Sequence, residues 1–471
     1  MIRRPCLLLL PIVALVLGGC AIQPAASLPS VQNEVASRSG LTVAWPQSDA
    51  DKGSVDQSVA ARLKDDLTPD SAAAIALFNN RKLRATFEDL GVSQADLIAA
   101  SRLPNPSLSA SVRWPSERPR PPNVEFNLGM DLLNAFLLPL RKKFSGEQLV
   151  QAERRVAHEA LSLASEAKSA AYTVQARQEF RARLASILAV NEATADLAQR
   201  QYSAGNINRL ELLHQQSAAL DARLELARTD ADIRRDREKL NRLLSLWGAQ
   251  TNWQMSAALP TAPEREPNFD QLESLAVTQR LDLAAAQSQV ALARAALDLK
   301  RKTRFLPASV NLGIDTEREP AGSGEHTHVT GPNVELALPI FDQGQADVAR
   351  LSAESRRAEA NYEAVAIDIR SEVREARDAL LAGRAAAEYY DAVLLPQRRA
   401  ILRETLLHYN AMQKSNYELL LAKQQVLEAE RARIEAWRDY WIARTELERA
   451  VGGRLAETTT PAPEQRLETK P

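Results

Sequence analysis

The stretch YSAGNINRLELLHQ (Tyr202–Gln215) interrupts what is otherwise one long helical pattern, and it decides how the chain folds. Further along, the sequence offers YNAMQKSNYELLLAKQQ (Tyr409–Gln425). The Glu-Leu-Leu of the first stretch aligns with the Glu-Leu-Leu of the second at an offset of 207 residues. Both stretches predict a tight reversal between two helices, and Gly205 can supply the positive φ that such a reversal often needs.

A second landmark repeats at nearly the same offset. PNVEFNL (Pro122–Leu128) recurs as PNVELAL (Pro332–Leu338), 210 residues later. Two landmarks with nearly equal offsets indicate that one unit of roughly two hundred residues occurs twice. We assign the first unit to residues 68–250 and the second to residues 270–453, with an inter-repeat linker at 251–269.

Each unit has the same order of elements: a helix, two short alternating segments, a very long helix, the reversal and a return helix. The helices before the alternating segments are predicted at Ser71–Arg102 and Gln271–Arg304, the long helices at Lys142–Tyr202 and Gln345–Tyr409, and the return helices up to Trp247 and Val451. A long helix of roughly 90 Å needs a partner along its length. Leu149, Val156 and Leu163 supply a stripe for one, because they step by seven as in a coiled coil. Pro396 should kink the second long helix.

Four short segments alternate apolar and polar residues with a period of two. They are Ser107–Trp114, Asn123–Leu132, Ser309–Asp315 and Asn333–Ile340. Their length suits a transmembrane strand, although a half-buried sheet of a soluble protein alternates in the same way. The polar loops Pro115–Pro121 and Thr316–Gly331 group them into two hairpins. A sheet in lipid must close and four strands are too few, so three copies would give a twelve-stranded barrel with a polar lumen.

The N-terminus carries the features of an export signal with a lipid attachment site. Two arginines precede an apolar run, Cys6–Val16, which is too short to span a bilayer as a stable anchor, and LGGC (Leu17–Cys20) follows. LGGC resembles the bacterial lipobox, which implies removal of residues 1–19 as a lipoprotein signal peptide and acylation of Cys20, palmitate included. Several acyl chains would anchor the chain stably. An ordinary signal peptide with an incidental cysteine is the alternative.

Two segments outside the repeats are interpreted as lacking a packed fold. Residues 20–67 are rich in Ser and contain Pro24, Pro29 and Pro46, which favours an extended, lipid-anchored linker. Residues 454–471 are rich in Thr, Pro and Glu, a composition typical of a disordered tail.

The composition argues against several classes of function. The net charge is −1, which gives no sign of a surface for nucleic acid. If Cys20 is acylated, no thiol remains for a disulfide or a metal site. The sequence has no Gly-rich phosphate-binding loop and no apparent Ser-His-Asp arrangement, so we expect neither an enzyme nor a bound cofactor. His326 and His328 could bind a metal, but no third ligand is evident and a solvated loop is favoured.

The lipobox, the duplicated order of elements and the Tyr-x-x-Gly…Leu-Leu turn together resemble the TolC-type outer-membrane efflux factor family over residues 68–452. The resemblance implies a mainly α fold with a small β part. In a homotrimer, a twelve-stranded transmembrane β-barrel would continue into a twelve-helix periplasmic α-barrel, each chain giving four strands and long coiled-coil helices. It also implies a passive outer-membrane export duct for drugs, organic compounds or metal ions, working with a periplasmic membrane-fusion adaptor and an inner-membrane pump.

The resemblance assigns the two reversals to helix tips that dock the adaptor and close the duct. The tip residues are Tyr202, Gly205, Leu212, Leu213, Tyr409, Leu419 and Leu420. For the leucine pairs, helix packing is the alternative. Glu211 and Glu418 are candidate gate acids, with ordinary solvated helix charges as the alternative. Met412 stands where the family commonly has Gly, so we expect a wider second turn.

By the same resemblance, the polar faces of the strands line the pore. The candidate pore-lining residues are Arg113, Glu125, Asp131, Asp315 and Glu335. Acidic rings can favour cations, or they can merely keep the lumen wet. Trp114, Phe136 and Phe341 lie near strand ends and fit interfacial girdles.

Two other functions compete with an efflux duct. One is an outer-membrane duct of a polypeptide secretion system, which would share the whole architecture. The other is a lipid-anchored periplasmic coiled-coil structural or adaptor protein. An adaptor should carry one helical hairpin between Gly-rich β domains, whereas this chain has two reversals.

Overall fold

A computed structural model describes residues 27–114, 122–256, 258–266, 269–307, 309–320 and 326–455. The chain divides into two compact units. The first comprises the chain up to Ser30, Phe87–Arg154 and Ala285–Tyr362, and it contains all four described strands. The second comprises Val31–Thr86, Arg155–Ala284 and the chain from Glu363 onward, and its described residues are mainly helical.

The described elements follow the order that the repeat predicts. The helices are α1 (Leu28–Ser39), α2 (Asp49–Arg62), α3 (Pro69–Asn79), α4 (Arg81–Ala100), α5 (Leu132–Phe136), α6 (Leu138–Ser203), α7 (Arg209–Leu244), α8 (Leu272–Gln279), α9 (Leu281–Thr303), α10 (Gln345–Tyr389), α11 (Leu395–Asn410) and α12 (Asn416–Val451). The strands are β1 (Ser107–Arg113), β2 (Asn123–Asp131), β3 (Val310–Pro320) and β4 (His326–Leu336). Among these residues, no helix is both long and apolar enough to cross a bilayer. The predicted mainly α fold with a small antiparallel sheet is confirmed.

The second long helix accommodates its proline with a wide turn. Residues Tyr390–Leu394 between α10 and α11 form a π-helical turn, and Pro396 follows at the start of α11. A proline has no N–H to donate, and its ring would clash with the carbonyl four residues earlier in a regular helix. Widening the backbone removes that clash, so the predicted kink takes the form of a π turn.

The second β-hairpin is longer than the alternation predicted. β3 and β4 stay paired from Val310 opposite Leu336 as far as Pro320 opposite His326. The predicted loop Thr316–Gly331 is therefore wrong over most of its length, and the two histidines belong to a strand. The pattern failed because polar residues replace apolar ones on one face of this hairpin beyond its first rows.

The segment expected to be an extended linker contains two helices. In α1, Val31 and Val35 are buried, and in α2, Val55 and Val59 are buried. Each pair is spaced by four residues, which places both members on one helix face. Ser48 caps α2 in a capping box with Asp51. The interpretation of residues 20–67 as extended chain is wrong over α1 and α2, because their stripes were too short to stand out among Ser and Pro.

The inter-repeat linker is packed into the core of the second compact unit. Trp253 is buried, and its Nε1 donates a hydrogen bond of 2.8 Å to Asn241 Oδ1. The Arg237 guanidinium lies 3.6 Å from the centroid of the Trp253 ring. The Leu67 amide donates to the Gln254 carbonyl at 2.7 Å. These contacts fix the start of the linker between the helices of the first repeat.

Farther along the linker, one carboxylate joins two helices of the second repeat. Glu266 accepts hydrogen bonds from Tyr440 Oη at 2.5 Å and from Arg384 and Arg444 at 2.8 Å each. Burial, followed by the hydrogen bond to Glu266, raises the pKa of Tyr440 to about 12, so the phenol remains a donor. Arg384 lies on α10, while Tyr440 and Arg444 lie on α12. The linker therefore acts as a polar strap over these two helices.

Each helix that precedes a hairpin is broken once, at equivalent places. Asn80 separates α3 from α4 and Arg280 separates α8 from α9, with extended ψ values of 119° and 124°. The Asn80 amide donates to the Leu243 carbonyl at 2.8 Å, and the Arg280 guanidinium donates to the Ala450 carbonyl at 3.3 Å. Both acceptors are among the last carbonyls of a return helix, which have no partner within the helix. Each break thus caps the return helix of its own repeat.

Candidate functional site

The pairing of the strands sorts their residues onto two faces. Residues directly opposite in register share a face, and the side alternates along each strand. On one face Glu125 lies opposite Glu317, Asn127 opposite Asp315, and Asn311 opposite both Asp131 and Glu335. All five candidate pore-lining residues fall on this polar face, because Arg113 lies opposite Asn123 and two residues from the Glu125 row.

Hydrogen bonds on the polar face hold carboxylates mainly with neutral amides. Asp315 accepts from the amides of Asn127 and Asn333, the latter at 2.6 Å. Glu317 accepts from the amide of Asn123. An amide satisfies a carboxylate without cancelling its charge, so these two acids keep a negative face.

One polar-face carboxylate is neutralised. Glu125 forms an ion pair with Arg113 and accepts a hydrogen bond of 3.1 Å from the Ser111 hydroxyl. Arg113 supplies the positive charge on this face among the described strand residues whose side chains are placed. The polar face therefore carries a net negative charge.

The opposite face of the sheet is apolar and uncovered. Leu128, Ile314 and Val334 are 51%, 55% and 59% exposed, although such residues are usually buried. The polar-face residues Asn127 and Asp315 are less exposed than these apolar neighbours. A soluble sheet would cover its apolar face, so the protomer alone does not complete this structure.

The sheet has two free edges. Its order is β1-β2-β3-β4, with β1 at one edge and β4 at the other. Edge strands carry backbone groups that can pair with another strand. The open edges and the uncovered apolar face belong to the same sheet and call for a common explanation.

The two helix reversals are built alike at the level of the backbone. In the first, Gly205 donates to the Tyr202 carbonyl at 2.9 Å, and Asn206 donates to the Gln201 carbonyl at 2.8 Å. In the second, the equivalent bonds run from Met412 to Tyr409 at 2.9 Å and from Gln413 to His408 at 2.9 Å. Both are Schellman motifs, in which the residue after the helix cap is left-handed.

The wider second turn that we expected is wrong. Gly205 has a φ of 78° and Met412 a φ of 60°, so both occupy the left-handed region. Met412 is 95% exposed, and its side chain avoids crowding by pointing into open space. The glycine is replaced at a cost in backbone strain rather than by a change of turn.

Comparisons with known proteins identify the family. Residues 272–453 match the family model described as outer membrane efflux protein. The cobalt-zinc-cadmium resistance protein CzcC of Cupriavidus metallidurans is 22% identical over 395 residues, covering 82% of this chain and 90% of that protein. These matches confirm the predicted resemblance to the TolC-type outer-membrane efflux factor family.

Solved structures share the fold of this efflux protein. The CmeC outer membrane channel of Campylobacter jejuni has a TM-score of 0.70 at 18% identity, covering 84% of this chain and 87% of that one. The outer membrane protein VceC of Vibrio cholerae has a TM-score of 0.63 at 16% identity, covering 92% and 97%. The family is one of channel proteins located in the outer membrane, and both the predicted resemblance and the predicted location are confirmed.

The helices after the two reversals of the efflux protein are capped differently. Asn208 caps α7 by accepting a hydrogen bond of 2.9 Å from the Glu211 amide. Ser415 caps α12 by accepting from the Glu418 amide at 3.3 Å, and the Glu418 carboxylate accepts from the Ser415 amide at 2.9 Å. The second tip thus has a complete capping box, which gives Glu418 a structural role that Glu211 lacks.

The capping carboxylate is strongly acidic. A hydrogen bond from Lys414, followed by the bond from the Ser415 amide, lowers the pKa of Glu418 to about 2. The Lys414 ammonium lies 2.5 Å from Glu418 Oε1. Glu418 is therefore ionised throughout the physiological range and is partly neutralised by its neighbour.

The predicted leucine pairs at the tips of the efflux protein divide into inner and outer residues. Leu212 and Leu419 are each 6% exposed and pack between helices. Leu213 is 50% exposed, and Leu420 is intermediate. Tyr202 is 39% exposed. In each pair the first leucine packs inside the protomer, which matches the packing alternative.

An exposed leucine stripe on α7 was missed from the sequence. Leu213, Leu220 and Leu224 are 50%, 62% and 52% exposed, and Leu210 at the start of the helix is 65% exposed. The spacing of seven and four residues places them on one coiled-coil face. The signal is present in the sequence, because the leucines of the return helix repeat with the same heptad spacing as the stripe of the long helix.

Several expected features stay untested by the described geometry. Cys20 lies outside the described residues. Trp114, Phe136 and Phe341 are 77%, 79% and 94% exposed, and their place in an aromatic girdle remains a prediction. No cluster of three or more metal-ligating side chains occurs among the residues that the structure describes.

Proposed function

We propose that three copies of this efflux protein form a passive export duct through the outer membrane. The observation that carries the proposal is the sheet, with its uncovered apolar face, its acidic polar face and its two open edges. In lipid every backbone N–H and C=O needs a partner, so the edges must be paired. Four strands do not close by themselves, and three copies joined β1 to β4 give twelve.

The leucine stripe on α7 supports an assembly of several copies. Leu213, Leu220 and Leu224 form a row of exposed leucines at coiled-coil spacing, and such a row needs an apolar partner. In the proposed trimer, a helix of the neighbouring copy covers it. The two tips of each chain then form a ring of six similar helical hairpins at the periplasmic end.

The tips are the proposed docking sites of a periplasmic adaptor, which connects the duct to an inner-membrane pump. Leu213 and Tyr202 provide exposed apolar surface at the first tip, and Leu420 and Tyr409 occupy the equivalent positions at the second. Glu211 and Glu418 are the proposed gate acids. The sequence contains no phosphate-binding loop, so the energy for transport comes from the partners.

Metal cations are the substrate class that we favour within this function. The relative CzcC is named for resistance to cobalt, zinc and cadmium. Among the described residues, no base balances Asp315 and Glu317 on the polar face, which suits a path for cations. Acylation of Cys20 is the proposed anchor of each chain in the membrane.

Removing the leucine stripe tests the assembly. We expect the extracted wild-type protein to run as a heat-sensitive trimer on gels and to conduct in planar bilayers. Leu220→Asp should leave the helical circular dichroism of the chain unchanged, since this side chain is exposed in the protomer, and should shift the protein toward monomers. A wild-type protein that is monomeric and silent in bilayers would favour the spacer or adaptor function instead.

A further inference from the structure

The apolar face of the sheet ends in a charged row. From the helix end toward the hairpin turns, its rows on β3 and β4 are Val310 with Leu336, Leu312 with Val334, Ile314 with Pro332, Thr316 with Thr330, and Arg318 with His328. The first three rows are apolar, the fourth is a pair of hydroxyls 3.2 Å apart, and the fifth is basic. Polarity thus changes in order along one face.

The position of the basic row fits the boundary of a bilayer. Arg318 lies eight residues along β3 from Val310. Eight residues of strand span about 27 Å, or about 20 Å along the membrane normal at a typical barrel tilt. Leu338 and Ile340, which are 63% and 67% exposed, extend the apolar region beyond the first row. An apolar band of about 25 Å therefore ends just below Arg318.

Arg318 has no charged partner among the described residues. Arg318 and His328 are exposed, and neither makes an ion pair or side-chain hydrogen bond with any described residue. The acids Glu125, Asp315 and Glu317 all lie on the other face. Arg113, at the same end of the sheet but on the polar face, is paired with Glu125. Of these two described arginines, Arg318 on the apolar face is the one available to an external anion.

Trp114 adds an interfacial residue one row beyond Arg318, since Val112 lies in the row of Val124 and Arg318. It follows β1 directly, on the side of Val112, and is 77% exposed. Indole rings and basic side chains favour the head-group region of a bilayer. A free anion would not require apolar rows below the charge or an aromatic ring beside it, whereas a lipid matches both.

We propose that Arg318 and His328 bind the phosphate of an anionic lipid head group in the outer leaflet of the outer membrane. This inference rests on the proposed function, because it takes the sheet to be the wall of a transmembrane barrel. The guanidinium makes paired hydrogen bonds to phosphate oxygens, and the imidazole opposite it in register provides a further donor. A trimer has three such sites around its rim.

Substitution of Arg318, with Arg113 as the control, tests the proposal. The purified full-length trimer is placed in nanodiscs of phosphatidylcholine with lipid A, or with phosphatidylethanolamine, and retained lipid is measured by native mass spectrometry. We expect retention of lipid A by the wild type, and a loss of about tenfold in apparent affinity for Arg318→Gln. Arg113→Gln is the matched control and should retain lipid A, because Arg113 lies on the polar face.

Three outcomes would overturn the proposal: no preference of the wild type for lipid A, equal loss in the two arginine variants, or full displacement of lipid A by inorganic phosphate. Conductance in planar bilayers distinguishes failure of the lipid site from failure of the proposed function. If the wild type conducts but does not retain lipid A, the duct stands and the lipid site falls. If it neither inserts nor conducts, both fall.

Discussion

A left-handed backbone conformation falls on Gly205 in one tip and on Met412 in the other. The hydrogen bonds around the two residues are the same, so the second tip keeps the turn although Met412 occupies the position that favours glycine. The sequence predicted both reversals, because Glu-Leu-Leu and the aligned tyrosines fixed their register. It did not predict the shape of the second turn, since the backbone bonds of a Schellman motif hold the turn whichever side chain stands there.

Met412→Gly should stabilise the second tip by about 1 kcal/mol, because glycine reaches a positive φ without the clash that a side chain makes. The free energy of local opening can be measured by amide hydrogen exchange at Gln413 and Lys414. Gly205→Met is the reciprocal control. No atom lies within 4 Å of a Cβ added at Gly205, so the loss of stability in this variant should come from the positive φ alone. Unchanged exchange in both variants would contradict the assignment of strain.

At the scale of single elements, the sequence predicted helices and strands better than their ends. The long helices and their return helices were predicted to within a few residues. The breaks at Asn80 and Arg280 were missed, since each depends on the carbonyls of a distant helix end. The extension of the second hairpin to Pro320 was missed because hydroxyl and basic residues replace apolar ones toward the hairpin turn.

The cap of α12 separates two roles of Glu418. Glu418→Gln removes the charge but keeps an acceptor for the capping box, whereas Glu418→Ala removes both. We expect faster hydrogen exchange at the α12 N-terminus only in the alanine variant. If Glu418 is a gate acid, both variants should show lower cation preference in planar bilayers. A change of selectivity confined to the alanine variant would make Glu418 a cap alone.

The acidity of Glu418 also predicts how this cap responds to pH. Its pKa is lowered in the folded protein to about 2 from an ordinary value of 4.5. A lowered pKa contributes stability that is present above the ordinary value and lost as the pH falls through the folded value. The hydrogen-exchange difference between the glutamate and alanine forms should therefore persist at pH 5.

At the scale of the whole molecule, the duplication was predictable but the packing of its connections was not. Two sequence landmarks at nearly equal offsets revealed the repeat. The buried Trp253 and the strap at Glu266 lie in a segment with few regular elements, and their positions depend on helices from both sides of the linker. Local composition cannot report such contacts. The faces of the sheet were predictable, because alternation requires only that strands pair in register.

In the proposed trimer, tripling of the polar face would make its charge measurable as ion selectivity. Glu317→Gln removes a carboxylate that is bonded to an amide and is balanced by no base among the described residues. The zero-current potential in a salt gradient should therefore move toward lower cation preference. Arg113→Gln removes the base paired with Glu125 and should move that potential in the opposite direction. Potential shifts of opposite sign in the two variants would show that the polar face of the sheet determines the selectivity. Equal potentials in the wild type and both variants would place the selective constriction elsewhere, with the helix tips as the next candidate.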